Sequence, residues 1–204
     1  MESGGDLLAH FPYRDALSES TARQIKNANV KMIYTLVGFE NKVQMSLGNY
    51  TPSPLDYRMH PVALLEPVKN EKGKQINSTA VLDQFSHTLL SNRDKWGNTF
   101  HELRKSKIPF AIGTDSPQPG SYPGSSFHEE MRMLCEMGYS EYEILKAATS
   151  VDSKLFLTDP KFGAIDAGQK ADLVILNSNP LENINNTSDI DLIIKSGQVY
   201  DSIW

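Results

Sequence analysis

An aspartate and a histidine follow short apolar runs, the position that reacting side chains take in many α/β proteins. Asp115 comes after the run 110–114 and opens a loop rich in Pro and Gly. His10 ends the run 6–9, and His128 stands just beyond the loop that Asp115 opens. In parallel sheets and barrels, reacting groups lie just past the carboxyl ends of the strands, on loops held by a rigid core. All three residues are therefore candidates for chemistry.

A histidine and an aspartate at the ends of separate parallel strands can share a divalent metal. Zn2+ binds imidazole nitrogen and carboxylate oxygen, and it lowers the pKa of bound water to about 7, which produces a hydroxide nucleophile at neutral pH. Asp115 would bind the ion and accept a proton from that water, and His10 would be a ligand or polarise the substrate carbonyl. Spacing alone also leaves open a structural role, with Asp115 capping a turn and His10 packing in the interior.

The elements predicted to position these residues run strand, helix, strand. The first strand covers 6–10, and a helix capped by its first residue covers 18–28, with Asn29 suited to a left-handed end. The next strand, 30–36, is almost continuously apolar or β-branched, as in parallel strands covered on both faces. Because crossovers between parallel strands are right-handed, we predict that these two strands and 108–114 are parallel neighbours in that order.

The middle of the chain has mostly helical patterns. Residues 38–73 hold several prolines, which predicts short helical pieces within a long connection. Apolar residues then recur at steps of three, four and seven, which predicts one long amphipathic helix over 78–105. A further helix over 127–137 ends at Gly138, a favourable C-cap, and a capping box at Ser140 predicts the start of another helix.

Three strand patterns near the C-terminus predict a small β unit. They cover 171–177, 190–195 and 198–200, and a short Ser-Gly turn joins the last two. The rhythm of apolar residues changes from helical to strand-like at about residue 160. We therefore divide the chain into a larger domain at 1–160 and a smaller one at 161–204.

The composition excludes several classes of function. A net charge of −5 over 204 residues argues against nucleic acid as a partner, because proteins that track phosphates are usually basic. No apolar run approaches the ~18 residues that span a bilayer, and the N-terminus lacks the pattern of a signal peptide. The single cysteine, Cys135, allows no intramolecular disulfide. We expect a cytoplasmic protein with no membrane partner.

Several motifs of this chain resemble the C-terminal half of the amidohydrolase superfamily, closest to its imidazolonepropionase-like and prolidase-like branch. The motifs are Ile112-Gly113-Thr114-Asp115-Ser116, His128-Glu129-Glu130, Met137-Gly138-Tyr139-Ser140, Ala147-Ala148-Thr149 and the long run 163–176. Residues 6–10, 17–18 and 32–36 resemble the family's sixth strand, the helix after it and the seventh strand. The likeness covers most of the chain except about 40–75.

The resemblance implies both a fold and a reaction. The fold would be the last three βα units of a metal-dependent (β/α)8 barrel, together with the C-terminal strands of a small β-sandwich. The reaction would be hydrolysis of C–N bonds in small-molecule amides, cyclic amides or dipeptides by a water that a divalent metal, most often Zn2+, activates. By position, Asp115 matches the eighth-strand aspartate that binds metal and manages the proton, and His10 matches the sixth-strand histidine. His128 lies where relatives often contact substrate.

One departure from the family pattern changes the expected function. The family's first-strand His-x-His pair, fourth-strand bridging residue and fifth-strand histidine would all precede His10. We therefore expect a fragment that binds divalent metal weakly or not at all when isolated, and that associates with itself or with a separately encoded N-terminal half. The alternative is a noncatalytic remnant or partner-binding half of a split amidohydrolase. A nucleotide-binding module is disfavoured, because no glycine-rich phosphate loop follows any predicted strand.

Overall fold

A three-stranded parallel sheet runs through the N-terminal part of the chain. In this computed structural model, which describes residues 4–66, 80–151, 154–155 and 161–201, its strands are β1 (Leu7–Ala9), β2 (Lys31–Tyr34) and β3 (Phe110–Ile112). The order is β1-β2-β3, and both pairs are parallel. The predicted order and direction are therefore confirmed. All of β3 is buried, as its continuously apolar sequence favours.

Eight α-helices lie within the described residues. They are α1 (Glu19–Asn27), α2 (Leu36–Ser46), α3 (Pro54–Met59), α4 (Val62–Leu65), α5 (Ala80–Asn92), α6 (Trp96–Lys105), α7 (Ser125–Glu136) and α8 (Glu141–Lys146). Single tighter or wider helical turns cover Arg93–Lys95, Ala147–Val151 and Ile184–Ser188. None of the described helices is both long and apolar enough to cross a bilayer.

Helix ends follow the capping chemistry that the sequence predicts. The Ser18 side chain accepts a hydrogen bond from the amide of Thr21 at 3.1 Å, and Asn29 takes a left-handed φ of 54° just after α1. Gly138 ends α7 with a φ of 90°, and Ser140 begins α8 with a complete capping box. These predictions are confirmed because each depends on contacts within a few residues.

The predicted strand 30–36 and the connection after it are partly wrong. The strand ends at Tyr34, and Leu36 begins α2, an 11-residue helix that is longer than the short helical pieces predicted here and begins within the predicted strand. The reason is a contact that is distant in sequence, since both carboxylate oxygens of Glu130 accept the first amides of α2, those of Leu36 and Val37. The short helices α3 and α4 later in the connection agree with the prediction.

The predicted single helix over 78–105 is also wrong, because it is divided into α5 and α6. A tight turn at Arg93–Lys95 separates the two helices. The Arg93 guanidinium donates two hydrogen bonds of 2.7 Å to the Glu40 carboxylate on α2. The break lets α5 pack against α2 while α6 packs against α1, a choice that periodicity alone does not reveal. Residues 78 and 79 lie outside the described part of the chain.

Aromatic rings form the centre of the core between the parallel sheet and the helices. The ring centroids of neighbouring pairs lie 4.6–6.4 Å apart, in tilted, edge-on and stacked arrangements. The rings belong to Phe11, Tyr34, Phe39, Phe100, Phe110 and Tyr139. The hydroxyls of Tyr34 and Tyr139 lie 3.0 Å apart, so each of these two buried hydroxyls has a hydrogen-bond partner.

A second sheet, antiparallel and ordered β4-β5-β6, forms the C-terminal part. Its strands are β4 (Leu173–Leu176), β5 (Ile190–Lys195) and β6 (Gln198–Asp201), which confirms the three predicted strands. Ser196 and Gly197, both with positive φ, make the two-residue turn between β5 and β6. The segment Ile184–Ser188 packs this sheet's loop against α7. The predicted domain boundary at residue 160 lies outside the described residues.

Candidate active site

The carboxyl ends of β1, β2 and β3 form one edge of the parallel sheet. His10 directly follows β1, Thr35 directly follows β2, and Asp115 lies three residues past β3. Backbone hydrogen bonds extend the pairing at this edge, from the His10 amide to β2 at 2.9 Å and from the Gly113 amide to β2 at 2.8 Å. His10 and Asp115 therefore lie along the same edge, although they are far apart in sequence.

The His10 ring is held in one orientation. Its Nδ1 atom lies 2.6 Å from the Thr35 hydroxyl, and its ring centroid lies 5.1 Å from that of Phe39. The backbone of His10 has a φ of 70°, a left-handed conformation that is uncommon outside glycine and that often marks functional sites. Within the described part of the chain no hydrogen bond engages Nε2 of this ring.

Asp115 is exposed, and it also has a left-handed backbone, with a φ of 56°. Its Oδ2 atom accepts a hydrogen bond of 3.0 Å from the Gln118 side-chain amide. The carbonyl of that amide accepts in turn from the Lys42 ammonium group on α2. Burial lowers the pKa of Lys42, and the negative charge of Asp115 opposes this shift. The Lys42 ammonium group is therefore near enough to the Asp115 carboxylate for the two charges to interact.

An open cleft of about 390 Å3 lies beside His10. Residues 11–18 line it, together with Thr21 on α1. The exposed Arg14 and Asp15 contribute opposite charges, and the Arg14 guanidinium lies 5.8 Å from the ring centroid of Tyr13. The lining of this cleft therefore combines apolar and charged side chains.

His128 is engaged in a contact that links α7 to the C-terminal part. The Thr187 hydroxyl donates to the carbonyl of Ile184 at 2.8 Å, so His128 Nδ1 donates to the Thr187 oxygen at 3.0 Å. Burial lowers the pKa of His128, which favours the neutral ring. This contact gives His128 a structural partner, and its contact with substrate stays a prediction.

Glu130 is the important residue that sequence reasoning missed. Its side chain is fully buried, and its two oxygens accept the amides of Leu36 at 2.8 Å and Val37 at 2.7 Å. Glu130 thereby caps α2 from another helix and fixes the chain just past β2. A sequence pattern could have revealed it, because Glu130 is the acidic residue on the apolar face of α7, between Phe127 and Met131 at helical spacing.

The donor set at the sheet edge fits a metal only in part. Imidazole nitrogen and carboxylate oxygen are zinc ligands, and the contact of His10 Nδ1 with Thr35 is the kind of support that metal-binding histidines have. A catalytic zinc site keeps three protein ligands. No group of three His, Cys, Asp or Glu side chains that could hold a metal occurs among the residues that the structure describes. These residues therefore do not complete a metal site by themselves.

A family model and several solved structures match this chain. The model of the Amidohydrolase family matches residues 71–200. A prolidase complexed with N-methylphosphonate-L-proline matches with a TM-score of 0.66 and 16% identity, over 98% of this chain and 41% of that chain. A Xaa-Pro dipeptidase with bound methionine gives a TM-score of 0.64 and 19% identity, over 98% and 41%. An A. niger ochratoxinase gives a TM-score of 0.63 and 20% identity, over 98% and 38%.

The solved structures that match are all much longer than this chain. At 16–20% identity the solved structures share the fold of this chain, and this chain spans about 40% of the length of each. No curated protein matches its sequence. The match to the family model covers more than half of the chain and includes β3, Asp115 and the antiparallel sheet.

Proposed function

This chain belongs to the amidohydrolase family, and we propose that it supplies part of the active site of a hydrolase that cleaves C–N bonds. The observation that carries the proposal is the shared sheet edge. Three parallel strands bring His10 and Asp115 to one edge. Both residues have a left-handed backbone conformation, which is uncommon outside glycine and often occurs at functional sites. Such an edge is where α/β enzymes gather their reacting groups.

We extend the proposal to the architecture. The strands β1 to β3 and their helices would be the last three βα units of a (β/α)8 barrel, within a domain at 1–160. The sheet β4-β5-β6 would be part of a small β-sandwich at 161–204. Support comes from the parallel order of the first sheet and from the antiparallel second sheet. It also comes from the solved structures of the same fold, because this chain covers 41% of the length of each.

Each candidate residue has a proposed role. Asp115 would accept the proton of the attacking water, and the imidazole of His10 would orient the carbonyl of the bond to be cleaved. His128 would contact substrate through Nε2, since its Nδ1 is engaged with Thr187. A divalent metal, with Zn2+ as the first candidate, would supply a hydroxide nucleophile when bound, and its remaining ligands would come from outside the described residues.

The substrate class that we propose is small amides, with Xaa-Pro dipeptides tested first. The support is the likeness to a prolidase and to a Xaa-Pro dipeptidase. The natural gene product, recovered from its source cells with a tag, should release amino acids from a panel of Xaa-Pro dipeptides and N-acyl amino acids. The Asp115→Asn variant should lose this activity, and the Asp94→Asn variant, changed at an exposed aspartate, should keep it. Equal activity of both variants would contradict the proposal.

The isolated chain should bind divalent metal weakly or not at all. His10 and Asp115 provide two ligands where a catalytic zinc site keeps three. Equilibrium dialysis of the purified chain against Zn2+ should therefore give an occupancy far below one ion per chain. Elemental analysis that found nearly one tightly held ion per chain, lost in Asp115→Ala, would refute this prediction and favour a complete site assembled between chains.

The chain should associate, and this gives the second candidate function, that of a partner-binding half. In the described residues, β1 and β3 each pair on one side only, and open edges invite another strand. Apolar side chains of the second sheet are 42–60% exposed, namely Val174, Ile175, Val199 and Tyr200. These side chains alternate between the two faces of the sheet, and covering them yields on the order of several kcal/mol at ~25 cal/mol per Å2.

Light scattering on the purified chain tests this prediction. We expect a self-associated species, a complex with a separately encoded half, or aggregation. A folded monomer that persists at micromolar concentration would contradict it. Metal content then separates the two candidate functions, because an assembled hydrolase holds its metal and a noncatalytic binding module needs none.

A further inference from the structure

One side chain holds the Asp115 carboxylate in the described structure, and that side chain is Gln118. Its Nε2 donates to Asp115 Oδ2 at 3.0 Å, while its Oε1 accepts from the Lys42 ammonium group. We propose that Gln118 is the positioning residue of Asp115 and that Lys42 sets the direction of the Gln118 amide. The inference rests on the proposed function, which gives Asp115 its role.

The backbone of Gln118 is itself fixed. Its amide donates to the carbonyl of Ser121 at 3.0 Å, and the Ser121 amide donates back at 2.8 Å. The Ser121 hydroxyl donates to the carbonyl of Thr114 at 2.7 Å, which ties the loop to the end of β3. From α2, the Asn41 amide donates to the carbonyl of Gly120 at 2.6 Å. The side chain of Gln118 therefore extends from an anchored point.

The direction of the Gln118 amide follows from the chemistry of its two neighbours. An ammonium group only donates hydrogen bonds, and an ionised carboxylate only accepts them. The Gln118 carbonyl must therefore face Lys42, and its NH2 group must face Asp115. The opposite orientation would lose both contacts. A glutamate at position 118 has no NH2 group and would set a second carboxylate against Asp115.

Asp115 needs such a partner because no other hydrogen bond to its carboxylate occurs in the described residues, and the attraction of the nearby Lys42 charge does not select one rotamer. The side chain is exposed, and an exposed aspartate samples several staggered rotamers. A reacting carboxylate gains efficiency when it is held in one geometry before the reaction. The contact with Gln118 selects one rotamer of Asp115, next to the edge where His10 lies.

Gly38 offers a way to displace Gln118 without removing a polar group. A Cβ atom added at Gly38 would lie 2.8 Å from Gln118 Nε2, the far end of a flexible side chain, and 3.5 Å from the carbonyl oxygen of Thr114. Gly38 lies inside α2, where alanine is favoured over glycine. Gly38→Ala should therefore keep the fold and displace the Gln118 amide from the position in which it donates to Asp115.

The test measures the rotamer of Asp115 by NMR on the full, isotope-labelled chain. Three-bond couplings from the backbone nitrogen and carbonyl carbon to Cγ of Asp115 should have the values of a single rotamer in the native chain. In Gln118→Glu and in Gly38→Ala, these couplings should move to the average over several rotamers. Lys42→Met should shift them in the same direction, because the amide can then reverse and because the attraction between the ammonium group and the Asp115 carboxylate is lost. Gln24→Glu, at an exposed position on α1, should leave them unchanged.

The proposal is overturned if Asp115 shows averaged couplings in the native chain, or if Gly38→Ala keeps the native couplings. Should Gln118→Glu fail to fold, Gly38→Ala decides the result, since it removes no hydrogen-bonding group. The couplings require neither metal nor substrate. If the couplings are as expected but the natural gene product hydrolyses none of the panel, the proposed function alone is refuted. If the gene product is active but the couplings are unchanged in Gln118→Glu and Gly38→Ala, the positioning role alone is refuted.

Discussion

Replacing Glu130 by glutamine is expected to lower the free energy of unfolding by about 1–3 kcal/mol. Both oxygens of the Glu130 carboxyl group accept a buried amide of α2, which the protonated group can also do because its hydroxyl oxygen keeps a free lone pair. Glutamine has one accepting oxygen and would set an NH2 group against the other amide. That amide is far from water and would have no partner. Urea unfolding followed by circular dichroism measures the loss.

The stability should also depend on pH through Glu130. Burial raises the pKa of Glu130 to about 8, although the bonds from Val37 and Leu36 act in the opposite direction. In the unfolded chain this group titrates near 4.5. Between these values the folded chain holds a proton that the unfolded chain lacks. Stabilisation that is fully present below pH 4.5 is therefore lost as the pH rises through 8, by at most about 1.4 kcal/mol per pH unit.

The neighbouring glutamate gives the matched control. Glu129 is partly exposed and pairs with Arg132 on the same helix, so Glu129→Gln should change stability by less than about 1 kcal/mol. Unfolding curves at several pH values should keep the native slope in Glu129→Gln and become flatter in Glu130→Gln. Equal effects of the two variants would show that the cap on α2 contributes little.

Phe100→Ala should lower the free energy of unfolding by about 3–5 kcal/mol, which exceeds the effect of Glu130→Gln. The Phe100 side chain is fully buried, and its ring centroid lies 5.0 Å from that of Phe11 and 5.2 Å from that of Tyr34. Removing the ring leaves a cavity where α6 meets β2 and the chain after β1. The residues at the carboxyl ends of β1 and β2 lose their packing against this ring at the same time.

An exposed ring serves as the control for this prediction. Tyr142 on α8 is 61% exposed, and its ring contacts Lys146 on the same helix. Tyr142→Ala should change stability by no more than about 0.5–1 kcal/mol. Denaturant midpoints for both variants give the comparison. A loss below about 1 kcal/mol in Phe100→Ala would mean that the aromatic core is not the main support of the sheet.

Much of the candidate site could be predicted from residues that are close in sequence. Asp115 follows a continuously apolar strand, and His10 ends another apolar run, so the position of each at a strand end was readable. Parallel pairing then puts both at one edge. The roles of His10, Asp115 and His128 stay predictions, because they depend on groups outside the described residues.

The missed features all depend on partners that lie far apart along the chain. The helix α2 begins at Leu36 because of Glu130, 94 residues later. Lys42 meets Gln118 across 76 residues, and Arg93 meets Glu40 across 53. A local pattern contains no information about which distant side chain will meet a given backbone amide. The sequence therefore predicted a strand that continues to residue 36 and short helical pieces after it, where the structure has the single helix α2.

The sequence by itself determined the strand order, the helix caps at Ser18 and Ser140, the antiparallel C-terminal strands and the family. These features follow from apolar periodicity and from hydrogen bonds within a turn or two, which each segment carries in its own residues. Only the tertiary structure decided the start of α2, the break between α5 and α6, and the chain of contacts from Lys42 through Gln118 to Asp115. Each of these requires a buried or anchored polar group to find its partner on another element, and that pairing exists only after the core has formed.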